Sequence, residues 1–143
     1  MAVFRDAKTL YDRGFSVITA KLVEKIDPKT ENIKKQFEEL PEGWSKLTYE
    51  DCKKHINRKH NCVILLTGLR KSTTNAAIKS VIAIDIDRGD KTSSTGSTTL
   101  CGFKWLEDNK LELDTASEKT GNDGMHYFYK YNEKINKSTS GLY

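Results

Sequence analysis

Two aspartates interrupt the apolar run SVIAIDIDRGD (residues 80–90), and a histidine and a lysine follow in TGNDGMHYFYKYN (residues 120–132). Side chains alternate faces along a β-strand. VIAIDID therefore puts Ile82, Ile84 and Ile86 on one face and Val81, Ala83, Asp85 and Asp87 on the other, with the two acidic residues about 7 Å apart at Cα. Aspartate is depleted from strands and like charges repel, so the pair is unfavourable unless a cation or water relieves it. A divalent ion that prefers oxygen ligands, Mg2+ or Mn2+, relieves it best, and such pairs hold the ions that bridge substrate phosphates in phosphoryl transfer. The plainer alternative is a solvated strand end running into the RGD turn. In a strand starting at Met125, His126, Phe128 and Lys130 share one face and Tyr127, Tyr129 and Tyr131 the other. Gly124 allows close backbone approach just before the histidine. His126 and Lys130 then point the same way and, beside the aspartate strand, can take phosphate oxygens; the plainer alternative is a histidine resting on a sheet face.

Other constellations are weaker. CKKHINRKHNC spaces Cys52, His55, His60 and Cys62 as C-x2-H-x4-H-x-C, residue types that zinc accepts, but the spacing matches no common finger and a cysteine opening an apolar strand is usually core. Lys53, Lys54, Arg58 and Lys59 in the same segment read as a solvated helix face, with a nucleic-acid groove as the alternative. ILLTGLRKSTT is no phosphate loop, because Arg70 and Leu65 stand where the loop needs glycines; Arg70 and Lys71 remain possible phosphate contacts in a solvated loop. Trp44 and Trp105 are expected in the core rather than as platforms for bases.

The elements that must position these groups read as follows. Val3, Phe4, Ala7, Leu10 and Tyr11 form one helical stripe stopped by Gly14. FSVITA is a first strand, ENIKKQFEEL a short helix, and TYEDCKKHINRK a helix capped by Thr48. NCVILLTG is a second strand ended by Gly68, LRKSTTNA a polar loop, and AIKSVIAIDID a third, longer strand. RGDKTSSTGSTT is too polar to pack and reads as a loop, CGFKWLEDN as a short helix or turn, KLELDTASEK as a strand, TGNDG as a turn and MHYFYKYN as the last strand.

The chain has 143 residues, enough for one domain with its own core, and no internal repeat or clean boundary divides it. Its 24 basic and 20 acidic side chains leave a net charge of +4, which permits phosphate-bearing partners without demanding them. Three cysteines, Cys52, Cys62 and Cys101, make no disulfide framework and point to a reducing compartment. No stretch is apolar enough for a membrane span or a signal peptide, so an intracellular, soluble protein without a membrane partner is expected.

Together the two opening segments resemble the bifunctional primase-polymerase (Prim-Pol) domains of the archaeo-eukaryotic primase superfamily. These have an apolar strand ending in D-x-D and, downstream, a T-x-x-G-G-x-H-like segment opening another strand. Here AIDID carries Asp85 and Asp87, and TGNDGMH runs from Thr120 to His126 with Asp123 in place of the first glycine. YDRGFSVI from Tyr11, GWSKLT around Trp44 and NCVILLTG from Asn61 resemble the family's helix-end and first strand, its tryptophan segment and its N-x-x-x-x-x-G strand. The likeness covers nearly the whole chain, but only the aspartate pair and the G-x-H element are specific.

The resemblance implies an α/β (α+β) fold over residues 1–143: an RRM-like catalytic core, its mixed or antiparallel sheet flanked by helices, forming the N-terminal part of a longer domain or protein. It implies a DNA primase and polymerase that copies a DNA template from nucleoside triphosphates with Mg2+ or Mn2+, alongside a helicase domain or subunit. Asp85 and Asp87 would be metal ligands. His126 would hold the incoming nucleotide's phosphates, with Thr120, Asn122, Gly124 and Lys130 as further nucleotide-binding positions. The family's third carboxylate, on a strand after the histidine, has no counterpart before Tyr143. Glu133 falls in an apparent turn and Asp114 is a poor substitute, so the third acid is expected beyond this chain. Asp123 puts negative charge near the expected phosphate position unless it points away. Two other classes stay open: a metal-dependent nuclease using the same acids, and a non-catalytic nucleic-acid-binding module in which neither aspartate matters.

Overall fold

The computed structural model describes residues 2–89, 101–121 and 123–135. Most of the polar RGDKTSSTGSTT stretch, and Asn122, therefore lie outside the described residues. The fold is α+β, with helices α1 (Ala2–Asp12), α2 (Tyr49–Cys52) and α3 (Gly102–Asp108), and strands β1 (Val17–Ile26), β2 (Ile33–Glu38), β3 (Cys62–Leu65), β4 (Val81–Ile86), β5 (Ser117–Lys119) and β6 (Met125–Lys130). The strands form two antiparallel sheets, ordered β2-β1-β3 and β4-β6-β5. The chain divides into two compact units, Met1–Ser80 and Val81–Tyr143, with one sheet in each.

In the first unit, α1 turns its Val3–Tyr11 stripe inward around fully buried Ala7 and ends as expected at Gly14, whose φ of 97° is left-handed. A Cβ at Gly14 would also meet the carbonyl of Ala77 at 2.9 Å, so both backbone conformation and space demand glycine there. The first half of β1 is buried on both faces: Val17, Ile18, Thr19 and Ala20 are all inside. Ile18 packs with Cys52 and Leu66, and Tyr11, Leu40, Leu47 and Ile64 close around them.

Residues 33–38 are strand rather than the expected helix. Asp27 reverses the chain by accepting the Lys29 N–H on its carboxylate at 2.9 Å, while its own N–H donates to the Asn32 carbonyl at 2.9 Å. β2 then pairs with the outer half of β1, from Ile26 opposite Ile33 to Lys21 opposite Glu38. Ile33 and Phe37 suggest a helix because they are four apart, but positions four apart also share a face in a strand, so the spacing does not distinguish the two.

Three other elements are shorter than expected. The helix starting at Thr48, whose hydroxyl accepts the Asp51 N–H at 3.3 Å, gives way to a 3-10 turn at Lys53–His55. Thr19 drives that change: its buried hydroxyl takes the Asn57 N–H at 2.8 Å and lies 3.1 Å from the His55 carbonyl, drawing the chain out of helical geometry. The third strand begins only at Val81, because Lys79 N–H donates to the Gly14 carbonyl at 2.8 Å and Ser80 Oγ accepts the Arg70 N–H at 2.9 Å. KLELDTASEK keeps only its last three residues as strand, where β6 supplies a partner.

The polar loop at 69–76 is tied down by Glu50. Its carboxylate accepts from the Ser72 hydroxyl, the Thr74 hydroxyl at 3.1 Å, and the N–H groups of Thr73 and Thr74 at 2.8 and 3.1 Å. These bonds, that of Ser72 foremost, lower its pKa from an ordinary 4.5 to about 2. A lowered folded-state pKa makes this contribution full above the unfolded value and removes it as pH falls through the folded one. The stability difference between the parent and Glu50→Gln should therefore be constant above pH 5 and shrink between pH 4.5 and about 2, as followed by denaturant titration. Thr19→Val keeps the shape but strips partners from the Asn57 N–H and from His60 Nδ1, which is 2.9 Å from the hydroxyl. It should lower unfolding free energy by about 1–3 kcal/mol, read by the same titration.

Candidate active site on the second sheet

The second unit builds its sheet around β6, with β4 on one side and β5 on the other. Antiparallel partners directly opposite each other project to the same face. Asp85 is opposite His126, and His126 is opposite Glu118, so carboxylate, imidazole and carboxylate form a row across three strands. His126 Nε2 is 3.4 Å from Asp85 Oδ1, and Nδ1 is 2.7 Å from Glu118 Oε1. Phe128 stands edge-on to the imidazole, ring centres 6.4 Å apart. The row is open to solvent, with the His126 side chain 36% exposed and those of Asp85 and Glu118 57% and 60%. The opposite face carries Ile82, Ile84 and Ile86, and Ile86 is buried where α3 begins: a Cβ at Gly102 would come within 3.0 Å of its Cγ2.

Asp87 lies one residue past the end of β4, and its carbonyl accepts the Gly102 N–H at 2.8 Å. Its carboxylate rests over Gly124, 3.3 Å from where a Cβ would stand. Continuing the register from Ile86 opposite Met125 brings Asp87 level with Gly124, on the face that holds Asp85 and His126. Thr120 and Gly124 close the intervening turn: Thr120 N–H donates to the Gly124 carbonyl at 2.9 Å, and Gly124 N–H donates to Thr120 Oγ1 at 2.9 Å. Thr120 is thus engaged with the backbone of its own loop. Asp123 has a left-handed φ of 60° and pairs with Lys119 at 3.6 Å, which balances the charge that stands in place of a glycine.

Lys130 shares the His126 face, as alternation requires, but stands opposite Val81 at the far end of β6, about 13 Å along the strand from His126 with Phe128 between. It does not join the histidine. Asp114 is exposed in the segment before β5, and Glu133 lies in the turn after β6. Glu118 escaped the sequence reading, because a strand drawn over all of residues 110–119 hides its last turn-proximal residues. The signal was present: SEK and MHY flank the five-residue TGNDG loop, and a hairpin closed there sets Glu118 opposite His126.

Two members of the cysteine and histidine segment, Cys52 and His60, are engaged within the first unit. Cys52 is fully buried beside Ile18 and Leu66, and burial pushes its thiol up to about 11. His60 is held between the Thr19 hydroxyl and Glu39, whose Oε2 is 3.3 Å from Nε2. Lys53, Lys54, Arg58 and Lys59 are exposed. Arg70 Nη2 donates to the Ser45 carbonyl at 2.8 Å, a contact inside its own unit. Neither tryptophan is core: Trp44 is 36% exposed in a 3-10 turn, and Trp105 is half-buried on α3.

Among the described residues no group of three or more histidine, cysteine, aspartate or glutamate side chains is arranged to hold a metal ion. Asp85 and Asp87 offer a pair, and Mg2+ is commonly held by one or two carboxylates with water and phosphate oxygens completing the shell. No helix among the described residues is long and apolar enough to cross a membrane. Comparison with protein-family models, curated proteins and solved structures finds no match to this chain.

Gly124 is the tightest point of the site, since a Cβ there would meet the Ile86 carbonyl and Thr120 Oγ1 at 2.8 Å each. Gly124→Ala should destabilise the chain by about 1–3 kcal/mol in denaturant titration and broaden the backbone amide resonances of residues 118–126.

Proposed function

We propose that this chain acts as a primase-polymerase, carrying out template-directed nucleotidyl transfer on DNA from nucleoside triphosphates with Mg2+ or Mn2+. The observation that carries this reading is the direct cross-strand pairing of Asp85 with His126, with Asp87 level with Gly124 on the same open face. An acidic pair and an imidazole on one solvent-facing surface suit a triphosphate bound through a cation on one side and a ring nitrogen on the other. In this reading the sheet β4-β6-β5 belongs to an RRM-like core, and a helicase domain or subunit acts with it on the same DNA.

Asp85 and Asp87 would hold the divalent ion, which when bound neutralises charge on the attacking 3′ oxygen and the leaving pyrophosphate. His126 orients the phosphate chain beside the carboxylates, and Gly124 leaves the backbone room for close approach. The acids are exposed, so neither side chain is needed to hold the sheet together.

Asp85→Ala and Asp87→Ala should each abolish primer extension on a DNA template with all nucleotides and Mg2+ or Mn2+ present, while circular dichroism and melting temperature stay at parent values. His126→Ala should chiefly weaken nucleotide affinity. Shortening of labelled DNA without nucleotides would replace this reading with a nuclease. Salt-sensitive DNA binding that survives both aspartate substitutions, with no incorporation by the parent, would replace it with a binding module.

A further inference from the structure

We propose that β2 is the contact strand of a homodimer, in which a second copy of this chain pairs antiparallel along its free edge and the two β1–β2 ribbons join into one sheet. β2 is the outer strand of the sheet β2-β1-β3, and β3 pairs only with Val17–Ala20, so the ribbon from Lys21 to Glu38 extends past it. A two-stranded ribbon is marginal in water and gains most from added strands. Its edge is already aimed outward. Asp27 N–H donates to the Asn32 carbonyl at 2.9 Å, and Leu22 turns both its N–H and its C=O to the Asn61 side chain on the β3 side, away from β2. Alternation from either anchor gives Lys34, Gln36 and Glu38 their bonds to β1, and points the N–H and C=O of Ile33, Lys35 and Phe37 out from the sheet edge.

The side chains of β2 match those of a second copy about a two-fold axis at Gln36. Within one ribbon Lys25 stands directly opposite Lys34, an unfavourable like-charge pair, and Lys21 stands opposite Glu38. Lys34 reaches Asp27 at 3.1 Å and Glu38 reaches Lys25 at 3.5 Å, yet the Lys34 side chain remains 71% exposed. The axis sets each Lys34 directly opposite Glu38 of the second copy, so an acid comes to stand between lysines on both sides of it. On the other face Lys35 meets Phe37 of the second copy, and the two Phe37 rings stand diagonally across the axis, within the reach of aromatic side chains. Phe37 is 43% exposed in the single chain, so pairing also removes apolar surface from water. Reciprocal N–H···O=C bonds between Lys35 and Phe37 of opposite copies complete the contact. An axis at Lys35 would instead set that ammonium group against its own copy, so charge selects Gln36. Residues 21–38 hold five lysines and four acids, which leaves the ribbon without the excess positive charge that a nucleic-acid partner needs.

Sedimentation of the full chain over a wide concentration range should show a monomer–dimer equilibrium in the micromolar range or weaker, as a contact this small implies. Amide hydrogen exchange should show the N–H groups of Lys35 and Phe37 protected only at concentrations where the dimer forms, while those of Lys34 and Gln36 stay protected by β1 throughout. Lys34→Glu and Glu38→Lys should each weaken the dimer about tenfold, since each sets like charges face to face. Mixed together, the two variants should pair with each other at close to parent strength, because the charges across the axis are again opposite. Circular dichroism at low concentration should match the parent in both variants, and exchange in the parent decides the matter if either misfolds. A chain that stays monomeric at every concentration overturns the proposal. So does a dimer in which the Lys35 and Phe37 amides exchange freely, or one that the folded variants, when mixed, fail to restore.

Discussion

Two hydrogen bonds between Thr120 and Gly124 govern the geometry of the second unit. They close a loop in which Asp123 takes a left-handed conformation, and in doing so they decide which residue of β5 stands opposite which residue of β6. Side-chain alternation has a period of two, so a slip of one residue between β5 and β6 would set Glu118 opposite Met125 or Tyr127 and take it from His126. The crowding around Gly124 reinforces the register, because Ile86, Thr120 and Asp87 all approach its Cα.

From that register follows a division between two faces. The isoleucines of β4 share one side with Tyr127 and Tyr129, and Ile86 is covered by the start of α3. The other side is left to Asp85, His126 and Glu118 in solvent, where a carboxylate faces each ring nitrogen. Near the Asp85–His126 end the acidic face stays open, so it can carry like charges that would be intolerable inside. The first unit handles its polar groups differently. Thr19 is buried yet satisfied by backbone and imidazole, and Glu50 gathers four donors from a loop that has few apolar residues to anchor it.

Elements with one unambiguous signal were legible in the chain. The stripe from Val3 to Tyr11 with Gly14 behind it, the Thr48 cap and the apolar strands at Val17, Cys62 and Val81 all occur where local chemistry places them, and CGFKWLEDN, read as a short helix or turn, is a helix over Gly102–Asp108. Misreadings arose where one pattern fits two structures. Ile33 and Phe37 share a face in a helix or a strand alike, and the choice fell to pairing with the outer half of β1. The truncated helix after Thr48 and the late start of β4 have a different cause. Thr19, Gly14 and Arg70 are far away in sequence, and their hydrogen bonds to residues 55–57 and 79–80 outweigh the local preference.

The chain by itself determined that Asp85 alternates with isoleucines and that His126 alternates with tyrosines, because strand periodicity is a local property of the backbone. It also set a glycine, Gly124, just before the histidine, where the lack of a side chain permits close backbone approach. Only the tertiary structure decided that β4 and β6 are neighbours in the register that sets Asp85 against His126, and that Glu118 completes the row from a three-residue strand. It decided as well that Lys130 stays at the far end of β6 and that Cys52 belongs to the core. Strand partnership and burial depend on contacts between segments distant in sequence, and no local spacing of residue types specifies which of several compatible partners the folded chain will choose.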